Sequence, residues 1–194
     1  MADTTLTIAF TGHRPKDLFG YADRARWSEL KMHTMDAIKA VMAEHGTASA
    51  RIITGGAQGV DQIAFWAAET LKRDKSLTIE NVLYKPFDGQ EGRWQETGLF
   101  GKDEFHLMCD MADRVHLTDH DLSDSASVPA KLMHRNCAMV DDADVLIAVM
   151  REGYDIDGRG GTAHAARYAR KRGIECHRLV PETGKLIFNV FSQA

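Results

Sequence analysis

Cysteine is scarce in this chain, and its placement excludes two structural roles. Cys109, Cys137 and Cys176 are odd in number and far apart, which fits neither a disulfide framework nor paired zinc ligands. A reducing cytoplasm suits them, and a cytoplasmic location is expected. Long apolar runs are also missing: none approaches the roughly 18 residues that cross a bilayer, and no basic start leads into an apolar stretch. No membrane association and no export are expected. Charge of one sign is not in excess either. The formal net charge of −4 gives no bulk attraction to polyanions, although a local basic groove can survive inside an acidic average. Nucleic acid is therefore not the expected partner. No internal repeat, low-complexity tract or linker divides the sequence.

What is present is an ordinary globular composition. With 194 residues, 44% hydrophobic and 27% charged, the chain can bury one sizeable core, and a single domain over residues 1–194 is expected. Short β-branched runs alternate with longer segments of helical period. Strands are expected at Leu6 to Phe10, Ala50 to Thr54, Ile79 to Phe87, Arg114 to Thr118, Asp144 to Met150 and Ile174 to Val180. Between them lie apolar residues at helical spacing, such as Trp27, Leu30, Ile38 and Val41 in the first helix. Pro129 opens a later helix, and Gly173 closes the last one as its C′ residue. Strict alternation predicts a mostly parallel sheet covered by helices on both faces, because parallel neighbours need crossover connections.

In such a sheet the ligand crevice lies beyond the carboxyl ends of the strands, where loops feed helix N termini. Gly55, Gly56 and Gly59 fall there, in "RIITGGAQGVDQIA". Glycines at such a turn either shape a tight strand-to-helix connection or bring backbone amides against an anion, phosphate above all. A second cluster, Gly158, Gly160 and Gly161 with Thr162, repeats the arrangement, and "TGHRP" puts Gly12, His13 and Arg14 at the same edge. Arg14 suits a phosphate through its forked guanidinium. Three such segments at one edge point to a phosphorylated small-molecule site.

Other polar residues read more plainly. His116, Asp119, His120 and Asp121 show no recognised ligand spacing and read as a solvated loop, so no metal is expected. Asp61, in the first turn of its helix, serves either the helix dipole or a ligand. Gln90 and Trp94 fit packing better than base stacking. Asp141, Asp142 and Asp144 read as a solvated helix end, and Cys109 and Cys137 as buried hydrophobes.

The blocks "TGHRP", "GGAQGVD", "PFDGQEGRW", "MHRNCAMVDDADVLIAV" and "GGTAHAARYA" together resemble the SLOG superfamily, closest to its YpsA-type branch, from about Thr7 to Val180. The resemblance implies a Rossmann-like three-layer α/β sandwich. It also implies a nucleotide-derived ligand held at the two glycine turns by Gly12, His13, Arg14, Gly55, Gly56, Gly59, Asp61, Arg135, Asn136, Gly160, Gly161 and Thr162. A homodimer or larger homo-oligomer is implied as well, and no cofactor is called for. Two related families pull in different directions. Phosphoribohydrolases of the Lonely Guy type carry an arginine matching Arg135 and a methionine matching Met139, but Asn136 replaces their lysine and Ala165 stands at their glutamate. Cleaving a ribosyl C–N bond needs a carboxylate, for which Asp61, Asp157 and Asp141 are the candidates elsewhere in the chain. Catalytic candidates are Arg135 and Asp61, and binding is favoured over turnover. The DNA-processing protein A family has a glycine turn similar to Gly59-Val60-Asp61, which makes single-stranded DNA binding a third reading.

Overall fold

The computed structural model describes residues 4–94, 98–123 and 125–191. Its centre is a seven-stranded sheet: β1 (Leu6–Gly12), β2 (Ser49–Thr54), β3 (Thr78–Lys85), β4 (Arg114–Leu117), β5 (Val145–Val149), β6 (Glu175–Leu179) and β7 (Leu186–Ile187). The order across the sheet is β4-β3-β2-β1-β5-β6-β7. Every neighbouring pair is parallel except β6 and β7, where Arg178 faces Ile187 and Leu179 faces Leu186. The six expected strands are all there. β7 was not foreseen, since two residues are too few to show a period.

Five helices cover the sheet: α1 (Arg24–Glu44), α2 (Val60–Leu71), α3 (Lys102–Met111), α4 (Val128–Asp141) and α5 (Gly161–Arg172). Alternation along β1 sends Ile8 and Phe10 to one face and Ala9 to the other. Ile8 and Phe10 join Trp27, Leu30 and Ile38 of α1 and Ala64 and Leu71 of α2. Ala9 joins Met139 and Val140 of α4 and Ala165, Ala166 and Ala169 of α5. α3 seats Phe105 and Met108 on Leu83 and Phe65, completing the first layer. β5 is buried at all five positions, as a central parallel strand covered on both faces must be. Fully burying each such aliphatic or aromatic side chain stabilises the fold by roughly 1.5–3 kcal/mol.

Helix ends follow their sequence signals. The Asp23 carboxylate accepts from Arg26 N at 3.1 Å to start α1, and the Ser127 hydroxyl accepts from Ala130 N at 3.4 Å to start α4, with Pro129 in the first turn. Gly173 ends α5 at φ 71°, a left-handed conformation natural to glycine. β1 meets α2 closely at Gly12: a Cβ there would lie 2.5 Å from Val60 Cγ1. That contact brings the end of β1 against the start of α2, next to the site described below.

Candidate functional site

The chain runs outward from β1 to β4 and then returns through α4 to β5 on the other side of β1. The carboxyl ends of β1 and β5 therefore flank the point where strand order reverses, where open α/β sheets leave a crevice. A cavity of about 670 Å³ lies there, inside the roughly 300–1,000 Å³ range of small-molecule sites. Its wall comes from Thr11 to Arg14 at the end of β1 and just beyond it, from Arg151, Tyr154 and Arg159 after β5, from Gly160 to Thr162 at the start of α5, and from α4. α4 contributes Arg135 and Asn136 together with an apolar strip of Pro129, Leu132 and Met133.

The second glycine turn lies open on this cavity. Gly160 precedes α5 at φ 115° and no side chain caps the helix. The first hydrogen bond into the helix comes from His164 N to Gly160 O, at 2.9 Å. The amides of Gly161 and Thr162 are thus left for an anion, with the helix dipole behind them. The loop before the turn is tied down from behind. Tyr154 Oη donates to Arg159 O at 3.0 Å, and Arg167 Nη1 donates to Ile156 O at 2.8 Å and Gly158 O at 2.6 Å. Asn136 Nδ2 stands 3.4 Å from where a Cβ on Gly161 would be, so α4 and α5 meet at the turn.

The first glycine turn has a different occupant. Gly55, Gly56 and Gly59 are not on the cavity wall, contrary to their expected role as a cradle. A Cβ on Gly55 would fall 0.9 Å from Arg135 Nη1, one on Gly56 would strike Phe105 and Leu83, and one on Gly59 would strike His13 O at 2.8 Å. The glycines are needed because protein atoms fill the space their side chains would take. Gly56 and Gly59 also hold positive φ, 66° and 97°. Asp61 Oδ2 accepts from Ala57 N at 3.3 Å and from Arg135 Nη1 at 3.2 Å. Buried glutamines fasten the same turn: Gln62 Nε2 donates to Gly56 O and Gln90 Nε2 to Gly55 O, both at 3.4 Å.

The remaining expected residues, Gly12, His13, Arg14, Asp61, Arg135, Asn136, Gly160, Gly161 and Thr162, are brought together on one wall. Four arginines (Arg14, Arg135, Arg151 and Arg159) face two aspartates (Asp17 and Asp61) there, so the cavity carries excess positive charge within an acidic chain. Arg14 and Arg159 make no ion pair among the described residues. Arg151 is shared between Glu182 at 3.4 Å and the carbonyl of Leu18. Arg135 is only 4% exposed, and its Nε has no hydrogen-bond partner. Burial pushes its pKa down, Asp61 opposes that shift, and nearby Arg14 adds to it. His13, 8% exposed, also has an unpartnered Nε2 and packs edge-on to Tyr154 with ring centroids 4.5 Å apart. Burial lowers its pKa, with Asp17 pulling the other way, so the ring is neutral at physiological pH.

Arg151, Tyr154, Arg159 and Asp17 went unread in the sequence. They occupy loops without periodicity, and the available signal was their position just after β1 or β5. Ala165, at the hydrolase glutamate position, is 2% exposed and packed in the core beneath α5. Asp157 pairs with Arg170 at 3.0 Å, and Asp141 with Arg172 at 2.8 Å; neither lines the cavity, which leaves Asp61 of the three candidate carboxylates. Asp142 and Asp144 are not merely solvated: Asp142 accepts from Tyr84 Oη, and Asp144 Oδ2 from Thr7 N at 2.8 Å. Trp94 packs on Phe105, as expected. Cys109 and Cys137 are half-buried, and the fully buried cysteine is Cys176. His116 packs against Tyr84; the Asp121 side chain lies outside the described residues. At the opposite edge of the sheet, Glu44, Glu175 and His177 bring one donor atom each within 4.8 Å. His177 Nδ1 accepts from Asn189 N at 3.1 Å, so the neutral ring keeps its proton on Nε2 and offers no lone pair there to a metal.

A family model described as the YspA SLOG family matches residues 8–183, from β1 to beyond β6. The chain belongs to that family. The chain is also similar to the uncharacterized SPbeta prophage-derived protein YoqJ of Bacillus subtilis (strain 168). The two are 33% identical over 141 residues, covering 68% of this chain and 77% of YoqJ. SLOG membership points to a nucleotide-related role, in binding or in phosphoribohydrolase-like chemistry. Among the described residues, no helix is long and apolar enough to cross a membrane.

Proposed function

We propose that this SLOG protein binds a phosphorylated, nucleotide-derived small molecule in the cavity between β1 and β5. The observation that carries the reading is the uncapped N terminus of α5 facing a pocket with four arginines. The phosphate sits on the amides of Gly161 and Thr162, with Arg14 and Arg159 supplying charge-assisted hydrogen bonds. The apolar strip of Pro129, Leu132 and Met133 receives the less polar body of the ligand. Isothermal titration against a panel of nucleoside monophosphates and diphosphate-linked nucleosides tests this. Saturable binding of at least one compound, weakened by Arg14→Ala, is expected; no binding by any of them at millimolar concentration removes the reading.

A second reading, N-glycoside hydrolysis of a nucleoside monophosphate, draws on one observation. Asp61 puts a carboxylate on the cavity wall beside Arg135, and such a group can stabilise an oxocarbenium-like transition state or activate water. With Ala165 in the core, Asp61 is the group on which turnover depends. Free base released from a nucleoside monophosphate, and lost in Asp61→Asn, supports hydrolysis; a folded protein that binds without releasing base leaves binding alone.

A further inference from the structure

The two glycine turns differ in what they offer a ligand. At α5 the first-turn amides are unpaired. At α2 the turn is already engaged: Ala57 N, ahead of the helix, donates to Asp61 Oδ2 at 3.3 Å, and Val60 N, the first amide of the helix, donates to His13 O at 3.5 Å. The space above Gly55 is taken by the Arg135 guanidinium. The carboxylate of Asp61 therefore satisfies this turn from within the protein, and Arg135 serves as its counter-ion. Asp61 is only 7% exposed, yet it lines the cavity. Both of its hydrogen bonds use Oδ2, and Oδ1 makes none among the described residues. A ligand phosphate beside it would meet a fixed negative charge where water screens little. A hydroxyl there would instead find an acceptor held in place.

We infer that the cavity selects ligands carrying one phosphate, seated at α5, and neutral hydroxyls on the α2 side that donate to Asp61, and that it rejects ligands with a second anion beside Asp61. The ligand class is then a singly phosphorylated sugar or nucleoside with a free diol. This rests on the binding reading above and adds a specificity-determining role for Asp61, with Arg135 as the residue that positions it. The anion at α5 has support beyond the helix end itself, because Arg14 and Arg159, which make no ion pair among the described residues, line the same cavity.

The test compares three probes on the full chain by titration: nucleoside 5′-monophosphates, the matching nucleoside 3′,5′-bisphosphates, and the 2′,3′-dideoxy 5′-monophosphates. The bisphosphate is expected to bind at least about tenfold more weakly than the monophosphate, and the dideoxy compound at least about threefold more weakly. In Asp61→Asn the gap between mono- and bisphosphate is expected to close. The comparison in the unmodified chain carries the test whether or not that variant folds. Equal or tighter binding of the bisphosphate, or full affinity for the dideoxy compound, overturns the selectivity and leaves the α5 anion seat standing. A gap that persists in folded Asp61→Asn overturns it equally. Failure of every phosphorylated nucleoside to bind brings down the binding reading along with it.

Discussion

Arg135 of α4 and Asp61 of α2, 74 residues apart in sequence, form a 3.2 Å ion pair with both side chains almost fully buried. Removing one member of such a pair strands the other charge, which typically costs 3–5 kcal/mol. Arg135→Ala is therefore expected to lower stability by about 3–5 kcal/mol in urea denaturation. The apolar double substitution Asp61→Leu with Arg135→Met should cost less than Arg135→Ala alone, because no buried charge is left uncompensated.

Gly55→Ala tests the same pair from the backbone side. The new Cβ would coincide with the Arg135 guanidinium, so the arginine must leave its place. The loss should be large in the native chain and small once Arg135 is alanine. A double-mutant cycle is expected to give a coupling of at least about 1 kcal/mol, within the range seen for residues in direct contact.

Arg14 presents the opposite case, since no ion pair holds it. Arg14→Ala should leave the melting temperature nearly unchanged while weakening ligand binding about tenfold or more, the scale of a charge-assisted hydrogen bond. Thermal melts and titrations on the same preparation check both halves.

Acid should weaken the fold from a defined point. Burial is the largest cause holding the pKa values of His13, His164 and His177 below the ordinary 6.5. The unfolded chain, with histidines near 6.5, takes up protons before the folded chain does as pH falls. Their contribution is fully present above about pH 6.5 and is lost below it. Melting temperature is expected to hold between about pH 8 and 7 and to drop from about 6.5 downward, with a shallower drop in His177→Gln.

Most of the fold was legible because the alternation of strand and helix is a long-range pattern that no single residue can spoil. Six strands, the Pro129 helix start and the Gly173 helix stop were read correctly on that basis. The candidate cavity was legible where its wall carries a local signal, as at Gly160 to Thr162 and Arg14. It was misread where one signal has two physical causes. Gly55, Gly56 and Gly59 have the composition of an anion cradle, yet each clears space for protein atoms, and nothing in their spacing reveals Arg135 arriving from α4. Asp142 and Asp144 are exposed, as expected of a solvated helix end, but their hydrogen bonds were not legible because their partners, Tyr84 and Thr7, are distant in sequence.

The crossover from β4 back to β5 makes the pocket a late product of assembly. A fragment ending at residue 127 would retain four strands and the whole first glycine turn, yet lack Arg135 to neutralise Asp61 and lack the α5 amides altogether. Its Asp61 would then stand without the counter-ion that α4 supplies. The cavity is thus a property of the joined halves, since residues up to Asp61 build one side and those from Pro129 onward the other.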